Sequence, residues 1–338
     1  MKLKLINYLV CPKCKVPLQC QIFQQDSELP WEEILQGCLI CQTCSREYPI
    51  LKGIPRMLLN PPPAEVQNTV AGFGWEWLAF DKQIQNTYMT DKVHMLDFIH
   101  PTGEGFFKDK LVLDAGCGMG RFLKLGAEFG SKEIIGIDLS NSVEAAYQNT
   151  RHLENAHVVQ ADIFALPFPR VFDYIFSIGV LHHLDKPKKG FSQLVELLNK
   201  DGRISVWVYS KENNQWVISL TPIRKRITSH LPKPVLLGIS HFLGFFLYLL
   251  LQVVYKPANE TRLGLKVRRY LPYNEYLYYS SRLSYLSLVS VIFDHLVPQL
   301  AAYISRDELE SWFKEENLAS VVITPRNNMS WRGQGTCI

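Results

Sequence analysis

The chain has 338 residues, of which 47% are hydrophobic and 20% are charged. This composition excludes a disordered or fibrous protein, and the length predicts two domains at roughly 150 residues each. The 36 basic and 32 acidic residues give a net charge of +4, which is too small to indicate nucleic-acid binding and too even to exclude it. Asn7 interrupts the apolar start of the chain, so we expect no secretory signal and a cytoplasmic protein.

Six of the eight cysteines precede residue 45. Four of them form two C-x2-C pairs: Cys11, Cys14, Cys41 and Cys44. Two such pairs supply the four thiolates of a tetrahedral structural zinc site, which leaves no open position for a substrate. Cys38 also pairs with Cys41 at this spacing, but we interpret Cys38 and Cys20 as ordinary buried thiols. The pattern predicts a zinc module over residues 1–60, followed by a proline-rich linker at Asn60–Pro63.

From about residue 110 to 210, apolar strand-like runs alternate with helix-like runs. The predicted strands are Lys110–Ala115, Glu133–Asp138, His157–Asp162, Phe172–Ile178 and Arg203–Tyr209. The predicted helices between them are Arg121–Phe129, Ser142–His152 and Gly190–Asn199. Such alternation favours an α/β fold with a doubly wound, mostly parallel sheet, here assigned to residues 64–210.

A glycine-rich turn follows the first of these strands. Gly116, Gly118 and Gly120 follow a G-x-G-x-G spacing, not the dinucleotide G-x-G-x-x-G. Small residues there allow a ligand to lie against the backbone at the carboxyl end of the sheet. Asp138 and Asp162 end the next two strands beside the same crevice, where a carboxylate can bind the hydroxyls of a ribose.

These residues resemble the class I S-adenosylmethionine-dependent methyltransferases. The resemblance lies in Leu113–Gly120, in Gly136–Ser140, in Ala161–Phe164 and in Phe172–Leu184. It implies a Rossmann-like sheet of seven strands with a final antiparallel hairpin, and S-adenosyl-L-methionine as donor. The glycines would face the methionine part, Asp138 the ribose, and Asp162 with Ile163 the adenine. The full set of implied donor-binding residues is Asp114, Gly116, Cys117, Gly118, Gly120, Asp138, Leu139, Asp162, Ile163 and Ile178.

The N-terminal region resembles a second family, the small zinc-binding proteins that activate methyltransferases of tRNA, rRNA and release factors. The resemblance rests on the cysteine pairs together with Tyr48-Pro-Ile and Gly53-Ile-Pro. It implies a stabilising or partner-holding role for a module that is here fused to its enzyme.

Two histidines follow the fourth predicted strand, next to the methyl group in this fold. His182 or His183 could remove a proton from the acceptor, although packing of a loop histidine explains them as well. The Asn- or Asp-Pro-Pro-Tyr motif of enzymes that methylate planar amino groups is absent. Trp75 and Trp77 either cover the donor site or pack in the core.

Residues 211–300 interrupt the alternation and form a predicted helical insertion. Val235–Tyr255 contains no charged residue and is long enough to cross a bilayer as a helix. A simple crossing conflicts with the topology, because the chain must return to complete the sheet. We consider three interpretations: a lid over an apolar acceptor, a segment on the inner membrane face with basic flanks, and a buried helix.

Residues 301–338 are predicted to complete the sheet. Ser305–Glu316 has the pattern of a capped helix, with Ser305 as the N-cap, and Ala319–Thr324 resembles a further strand.

The sequence favours a methyltransferase that acts on a small, apolar or lipid-linked acceptor, because an RNA-binding surface would hardly contain the charge-free segment 235–255. The expected partners are that acceptor and a peripheral membrane contact through 235–255, with nucleic acid disfavoured. The alternative is an rRNA- or tRNA-modifying methyltransferase that binds its substrate through the zinc module. A non-enzymatic donor-binding scaffold is disfavoured, since the donor motifs are intact.

Overall fold

The computed structural model describes residues 1–26, 30–60, 72, 75 and 90–338. The predicted linker beyond Asn60 and the predicted role of Trp77 lie outside these residues. An N-terminal antiparallel sheet has the order β1-β2-β3-β4. Its strands are β1 (Gln19–Asp26), β2 (Glu33–Ile40), β3 (Glu47–Leu51) and β4 (Ile54–Pro55).

The second sheet has seven strands in the order β10-β11-β9-β8-β5-β6-β7. Its strands are β5 (Leu111–Ala115), β6 (Glu133–Asp138), β7 (Ala156–Gln160), β8 (Phe172–Ile178), β9 (Leu198–Tyr209), β10 (Ala319–Arg326) and β11 (Ser330–Thr336). The five strands β5 to β9 run parallel, and β11 pairs antiparallel with both β9 and β10. The predicted α/β class, the seven strands and the final hairpin are therefore confirmed.

Helices cover both faces of this sheet, which explains why its strands are apolar runs without alternation. They are α1 (Asp91–Phe98), α2 (Arg121–Glu128), α3 (Val143–Thr150), α4 (Pro187–Val195) and α12 (Arg306–Glu315). Ser305 caps α12 as predicted, with its hydroxyl accepting a hydrogen bond from the amide of Glu308 at 3.2 Å. The predicted helix Gly190–Asn199 is displaced, because Pro187 begins α4 and residues from Leu198 onward enter β9.

The insertion is helical, as predicted. Its helices are α5 (Gln215–Ser219), α6 (Thr221–Arg226), α7 (Lys233–Leu250), α8 (Lys256–Glu260), α9 (Gly264–Val267), α10 (Asn274–Ser281) and α11 (Tyr285–Leu296). A π-helical turn, Leu251–Tyr255, joins α7 to α8. Short 3₁₀ turns occur at Leu3–Tyr8, Glu104–Phe107, Ile163–Ala165, Leu181–His183, Thr228–His230 and Arg268–Tyr270.

The continuous helix Lys233–Glu260 is long and apolar enough to cross a membrane, by length and composition alone. Only 22% of its most apolar 18-residue stretch is buried, so it is not a core helix. One side of α7 packs on α11, where Gly244 allows a close approach to Val289. The opposite side is exposed and carries Phe242 and Phe246.

The N-terminal sheet docks against the β7 edge of the large sheet. Arg56 forms a parallel bridge with Gln160, and the amide of Met57 donates to the carbonyl of Gln160 at 2.8 Å. Ion pairs reinforce the contact, among them Lys4 with Glu133 at 2.8 Å. The module thus extends the large sheet beyond β7 and shares one hydrophobic core with it.

Candidate functional site

A cavity of about 390 Å³ opens at the carboxyl ends of β5, β6 and β8, where open α/β sheets bind ligands. Its volume lies within the range of small-molecule sites. Most of the residues predicted to bind the donor line it: Gly116, Cys117, Gly118, Asp138, Leu139, Asp162, Ile163 and Ile178. Asp114 and Gly120 do not line it. Asp114 precedes the glycine turn in β5, and Gly120 is the last residue of the turn, directly before α2.

The glycine turn requires glycine for two separate reasons. Gly116, Gly118 and Gly120 have φ angles of +89°, +53° and +83°, in the left-handed region that side chains disfavour. In addition, a Cβ at Gly116 would lie 2.2 Å from a methyl group of Val180. The turn therefore exposes bare backbone to the cavity and leads into α2.

Asp138 is fixed by hydrogen bonds to both of its carboxylate oxygens. Oδ2 accepts from the amide of Gly118 at 3.0 Å, and Oδ1 accepts from the amide and hydroxyl of Ser140 at 2.8 and 2.7 Å. A carboxylate has about four lone-pair sites, of which three are used, so Asp138 can still accept a hydrogen bond from one hydroxyl of a ribose. This geometry fits S-adenosylmethionine. Asp162 caps the next 3₁₀ turn, and its Oδ1 accepts from the amide of Phe164 at 2.9 Å.

Asp114 lies in β5, two residues before Gly116. Its side chain is buried, and Oδ2 has no hydrogen-bond partner among the described residues. Burial, and the negative charge of Asp138, raise the pKa of Asp114 well above its ordinary value. Asp114 does not line the cavity, so its predicted contact with the donor stays a prediction.

The roof of the cavity comes from the insertion, which the sequence did not predict in detail. It is formed by Tyr279 of α10 together with Leu283, Ser287, Ser290, Val291 and Asp294. Within the described residues, no side chain of Lys233–Glu260 lines the cavity. The segment that suggested an apolar acceptor therefore lies behind α11, away from the cavity.

Asp294 contributes a carboxylate to the half of the cavity opposite the glycine turn. Its Oδ2 accepts a hydrogen bond from the hydroxyl of Tyr209 at 3.1 Å, at the end of β9. Burial raises the pKa of Asp294 to about 6, against the opposing effects of the Tyr209 hydrogen bond and the charge of Arg224. A carboxylate with such a pKa is ionised at neutral pH and is suited to act as a base. Its signal in the sequence is a lone acid within an apolar helix.

The structure brings His183 to the cavity wall but not His182. Nδ1 of His183 donates to the carbonyl of Leu300 at 2.8 Å, so Nε2 carries the lone pair. Burial lowers the pKa of His183 to about 4. His182 does not line the cavity, and the centre of its ring lies 4.0 Å from that of Tyr209. Burial lowers the pKa of His182 well below its ordinary value. A proton-accepting role for either histidine remains a prediction.

The remaining wall of the cavity is formed by aromatic and basic side chains that no sequence pattern predicted. Nε2 of His94 and the hydroxyl of Tyr279 are 3.0 Å apart, joining α1 to α10 across the cavity. The rings of Trp207 and Phe98 pack beside them, tilted by 56° with centroids 4.8 Å apart. Trp75, by contrast, packs on Phe293 at 5.3 Å in the insertion. The described part of the chain thus places it in a packing role.

The four predicted metal ligands come together as one cluster. The sulfur atoms of Cys11, Cys14, Cys41 and Cys44 all lie within 4.8 Å of one another. Sγ of Cys11 is 3.8 Å from Sγ of Cys44, which matches the edge of a tetrahedron with Zn–S bonds of about 2.3 Å. Cys38 is not part of the cluster. The donor set and its spacing therefore fit a structural zinc.

Two family models match the chain. Residues 113–206 match a methyltransferase domain, and residues 2–53 match the Trm112p-like proteins. These are the regions that form the glycine turn with its strands and the cysteine module.

Among curated proteins, the chain is similar to tRNA U34 carboxymethyltransferases. It is 32% identical over 137 residues to that of Pseudoalteromonas translucida, which covers 35% of this chain and 42% of the relative. It is 36% identical over 99 residues to that of Aeromonas hydrophila, covering 28% and 30%. The chain therefore spans less than half the length of these relatives.

Solved structures of methyltransferases are also similar. An O-methyltransferase family 2 protein from Planctomyces limnophilus is 14% identical, with a TM-score of 0.44 and coverage of 79% of this chain and 62% of its own. The magnesium protoporphyrin IX methyltransferase of Synechocystis is 14% identical, with a TM-score of 0.37 and coverage of 82% and 90%.

Proposed function

We propose that this S-adenosylmethionine-dependent methyltransferase, which carries a fused Trm112p-like zinc module, transfers an alkyl group to a base of tRNA. The observation that carries the proposal is the similarity of the chain to tRNA U34 carboxymethyltransferases, at 32% identity over 137 residues and 36% over 99 residues. The aromatic residues of the cavity add support, because planar bases that leave their stack are bound between such side chains.

The expectation of a small, apolar or lipid-linked acceptor is wrong, and so is the expectation that nucleic acid is disfavoured. The curated relatives modify tRNA, which supports the RNA alternative. The expectation rested on the charge-free segment 235–255. That segment does not reach the cavity, so its apolar character says nothing about the acceptor.

S-adenosylmethionine, when bound, supplies an electrophilic carbon attached to a sulfonium. The residues of the chain hold and orient the reactants. The glycine turn and Asp138 would bind the methionine and ribose parts, while Asp162 would lie beside the adenine. An acceptor in the opposite half would lie against Tyr209 and Tyr279, which would orient it for an in-line approach to the donor.

An acceptor that bears its hydrogen on the attacking atom, a hydroxyl or an N–H group, must lose that proton as the new bond forms. Asp294 fits this task best, because it is ionised at neutral pH, lines the acceptor half and is oriented by Tyr209. His183 is the second candidate, since Nε2 is unprotonated. The two differ in the pH at which they become protonated, which makes them separable by experiment.

The zinc module supports the core in this proposal. It lengthens the sheet at β7 and contacts the loop after Gln160, which leads to Asp162. A cytoplasmic location, as the sequence predicts, is where such an enzyme meets tRNA. The comparisons do not support the more specific prediction that the segment 235–255 contacts the inner face of the membrane.

Transfer of label tests the function. The chain is incubated with S-adenosylmethionine labelled at the transferred carbon and with unmodified tRNA, and the tRNA is then digested to nucleosides. We expect label in one nucleoside, whose mass is increased by one methyl group. Asp138→Ala serves as the control that lacks donor binding. Label confined to protein or to an organic extract, with none in RNA, would overturn the proposal.

A further inference from the structure

The segment 262–270, here termed the basic arm, is the most positively charged exposed part of the insertion. It contains α9 and the following 3₁₀ turn. Its four basic side chains are exposed: Arg262, Lys266, Arg268 and Arg269. No acidic residue lies between Glu260 and Glu275. In the part of the chain that the structure describes, none of the four makes a salt bridge, so their charge is available to an anionic partner.

The backbone that carries these charges is anchored on both sides. Gly264 packs so closely on α8 that a Cβ there would lie 2.4 Å from the carbonyl oxygen of Pro257. Asn259 and Asn274 exchange two side-chain hydrogen bonds of 2.8 and 3.0 Å across the arm. The arm therefore presents its charges from a fixed position, which reduces the ordering cost of binding.

Exposed aromatic rings accompany the charges. Tyr270 is 72% exposed, and the guanidinium of Arg269 lies 4.8 Å from the centre of its ring. Next along the chain, Tyr273 faces Trp216 of α5 with ring centroids 6.0 Å apart, and both rings are exposed. Cationic side chains beside exposed aromatic rings are the combination that binds single-stranded RNA, by phosphate contact and base stacking.

The arm is connected to the cavity by one short helix. α10 begins after Tyr273 and carries Tyr279, which lines the roof. Eight residues of helix span about 12 Å, a distance that a few nucleotides can bridge. The guanidinium of Arg326 lies 5.0 Å from the ring of Tyr279, which places α10 at the β10–β11 edge. The zinc module docks at the other edge, six strand spacings or about 29 Å away.

We infer that the basic arm, with Tyr270, Tyr273 and Trp216, is the surface that binds the single-stranded loop of the tRNA whose base enters the cavity. The inference rests on the proposed function and assigns RNA binding to the insertion rather than to the zinc module. Phosphates contact the basic side chains of the arm, bases flanking the target stack on the exposed rings, and the target base passes along α10 to the acceptor half.

Equilibrium binding of unmodified tRNA to the full chain tests this surface, at salt concentrations between 50 and 200 mM, in wild type and two charge-reversed variants. Arg268→Glu/Arg269→Glu changes the arm, and Lys13→Glu/Lys52→Glu reverses two exposed charges of the zinc module, where Lys52 also loses a solvent-exposed ion pair with Glu144 that contributes little to stability. We expect the arm variant to bind tRNA at least about tenfold more weakly, with a salt slope smaller by about 1.5, as for two lost phosphate contacts. The module variant should bind as wild type does.

Donor affinity and melting temperature are measured for each variant, and both should match wild type. If the module variant loses tRNA affinity while the arm variant keeps it, the inference is overturned and the proposed function stands. The inference is also overturned, and the proposed function stands, if the arm variant keeps its tRNA affinity but loses binding to vesicles of phosphatidylglycerol and phosphatidylcholine. If wild type neither binds nor labels tRNA, the proposed function itself fails.

Discussion

The hydroxyl of Tyr209 donates a hydrogen bond to Oδ2 of Asp294 at 3.1 Å. The bond joins the end of a sheet strand to a helix of the insertion across the acceptor half of the cavity. It therefore does two things at once: it holds the roof over the donor site, and it fixes the orientation of the one carboxylate that the insertion contributes to the cavity lining.

Replacing Asp294 should separate chemistry from donor binding. We expect Asp294→Asn to reduce the rate of transfer by about 100-fold or more, the usual contribution of a positioned base, while donor affinity stays unchanged. Wild-type activity should rise with pH through about 6, because burial raises the pKa of Asp294 to about 6 and only the ionised form accepts a proton. Single-turnover rates between pH 5 and 8 measure both effects.

His183→Gln and Tyr209→Phe are the matched variants. If His183 were the base, activity would instead be nearly constant between pH 5 and 8, since burial lowers its pKa to about 4, and His183→Gln would lower the rate throughout this range. Tyr209→Phe removes a hydrogen bond that favours the ionised Asp294, so the rise should move to higher pH. A merely structural role for Tyr209 would lower the rate without moving the profile.

The donor half of the site was predictable from sequence and the acceptor half was not. Gly116, Asp138 and Asp162 lie at the ends of apolar strands, so local pattern places them at one edge of the sheet. Asp294 and Tyr279 reach the cavity only through packing of the insertion, which has no periodic signal that specifies its contacts. The charge-free segment misled the functional prediction for the same reason, because composition does not tell which face of a helix meets the cavity.

Gly116 offers a test of the turn that does not depend on the identity of the acceptor. Gly116→Ala places a methyl group 2.2 Å from Val180 at a φ of +89°, so we expect it to lower the free energy of unfolding by about 1–3 kcal/mol and to weaken donor binding. Gly103→Ala is the control, since a Cβ there has no atom within 4 Å. Denaturant unfolding and donor titration measure both variants. Equal stability and affinity for the two would contradict the role of the turn.

The metal site predicts one zinc per chain. Cys14→Ser should lose the metal and lower the melting temperature, because the module has little core of its own and metal binding contributes to its folding. Cys20→Ser changes a cysteine outside the cluster and should retain zinc. Elemental analysis of freshly purified protein, with melting curves before and after chelation, tests this prediction. Loss of zinc from Cys20→Ser with retention in Cys14→Ser would show that the ligand set is wrong.

Acid should destabilise the junction between the zinc module and the large sheet, and one histidine allows the effect to be measured. Burial lowers the pKa of His157 to about 4, even though Nε2 lies 2.7 Å from the carboxylate of Glu133. The folded chain thus keeps this ring neutral, whereas the unfolded chain binds a proton near pH 6.5. Its contribution to stability is complete above pH 6.5 and is lost as the pH falls from 6.5 to about 4, at roughly 1.4 kcal/mol per pH unit.

The free energy of unfolding of His157→Gln should therefore depend less steeply on pH in this range, by one proton. His152→Gln, which changes an exposed ring, should follow wild type. An unchanged slope in His157→Gln would mean that this ring is already charged in the folded protein and that its contact with Glu133 is an ion pair.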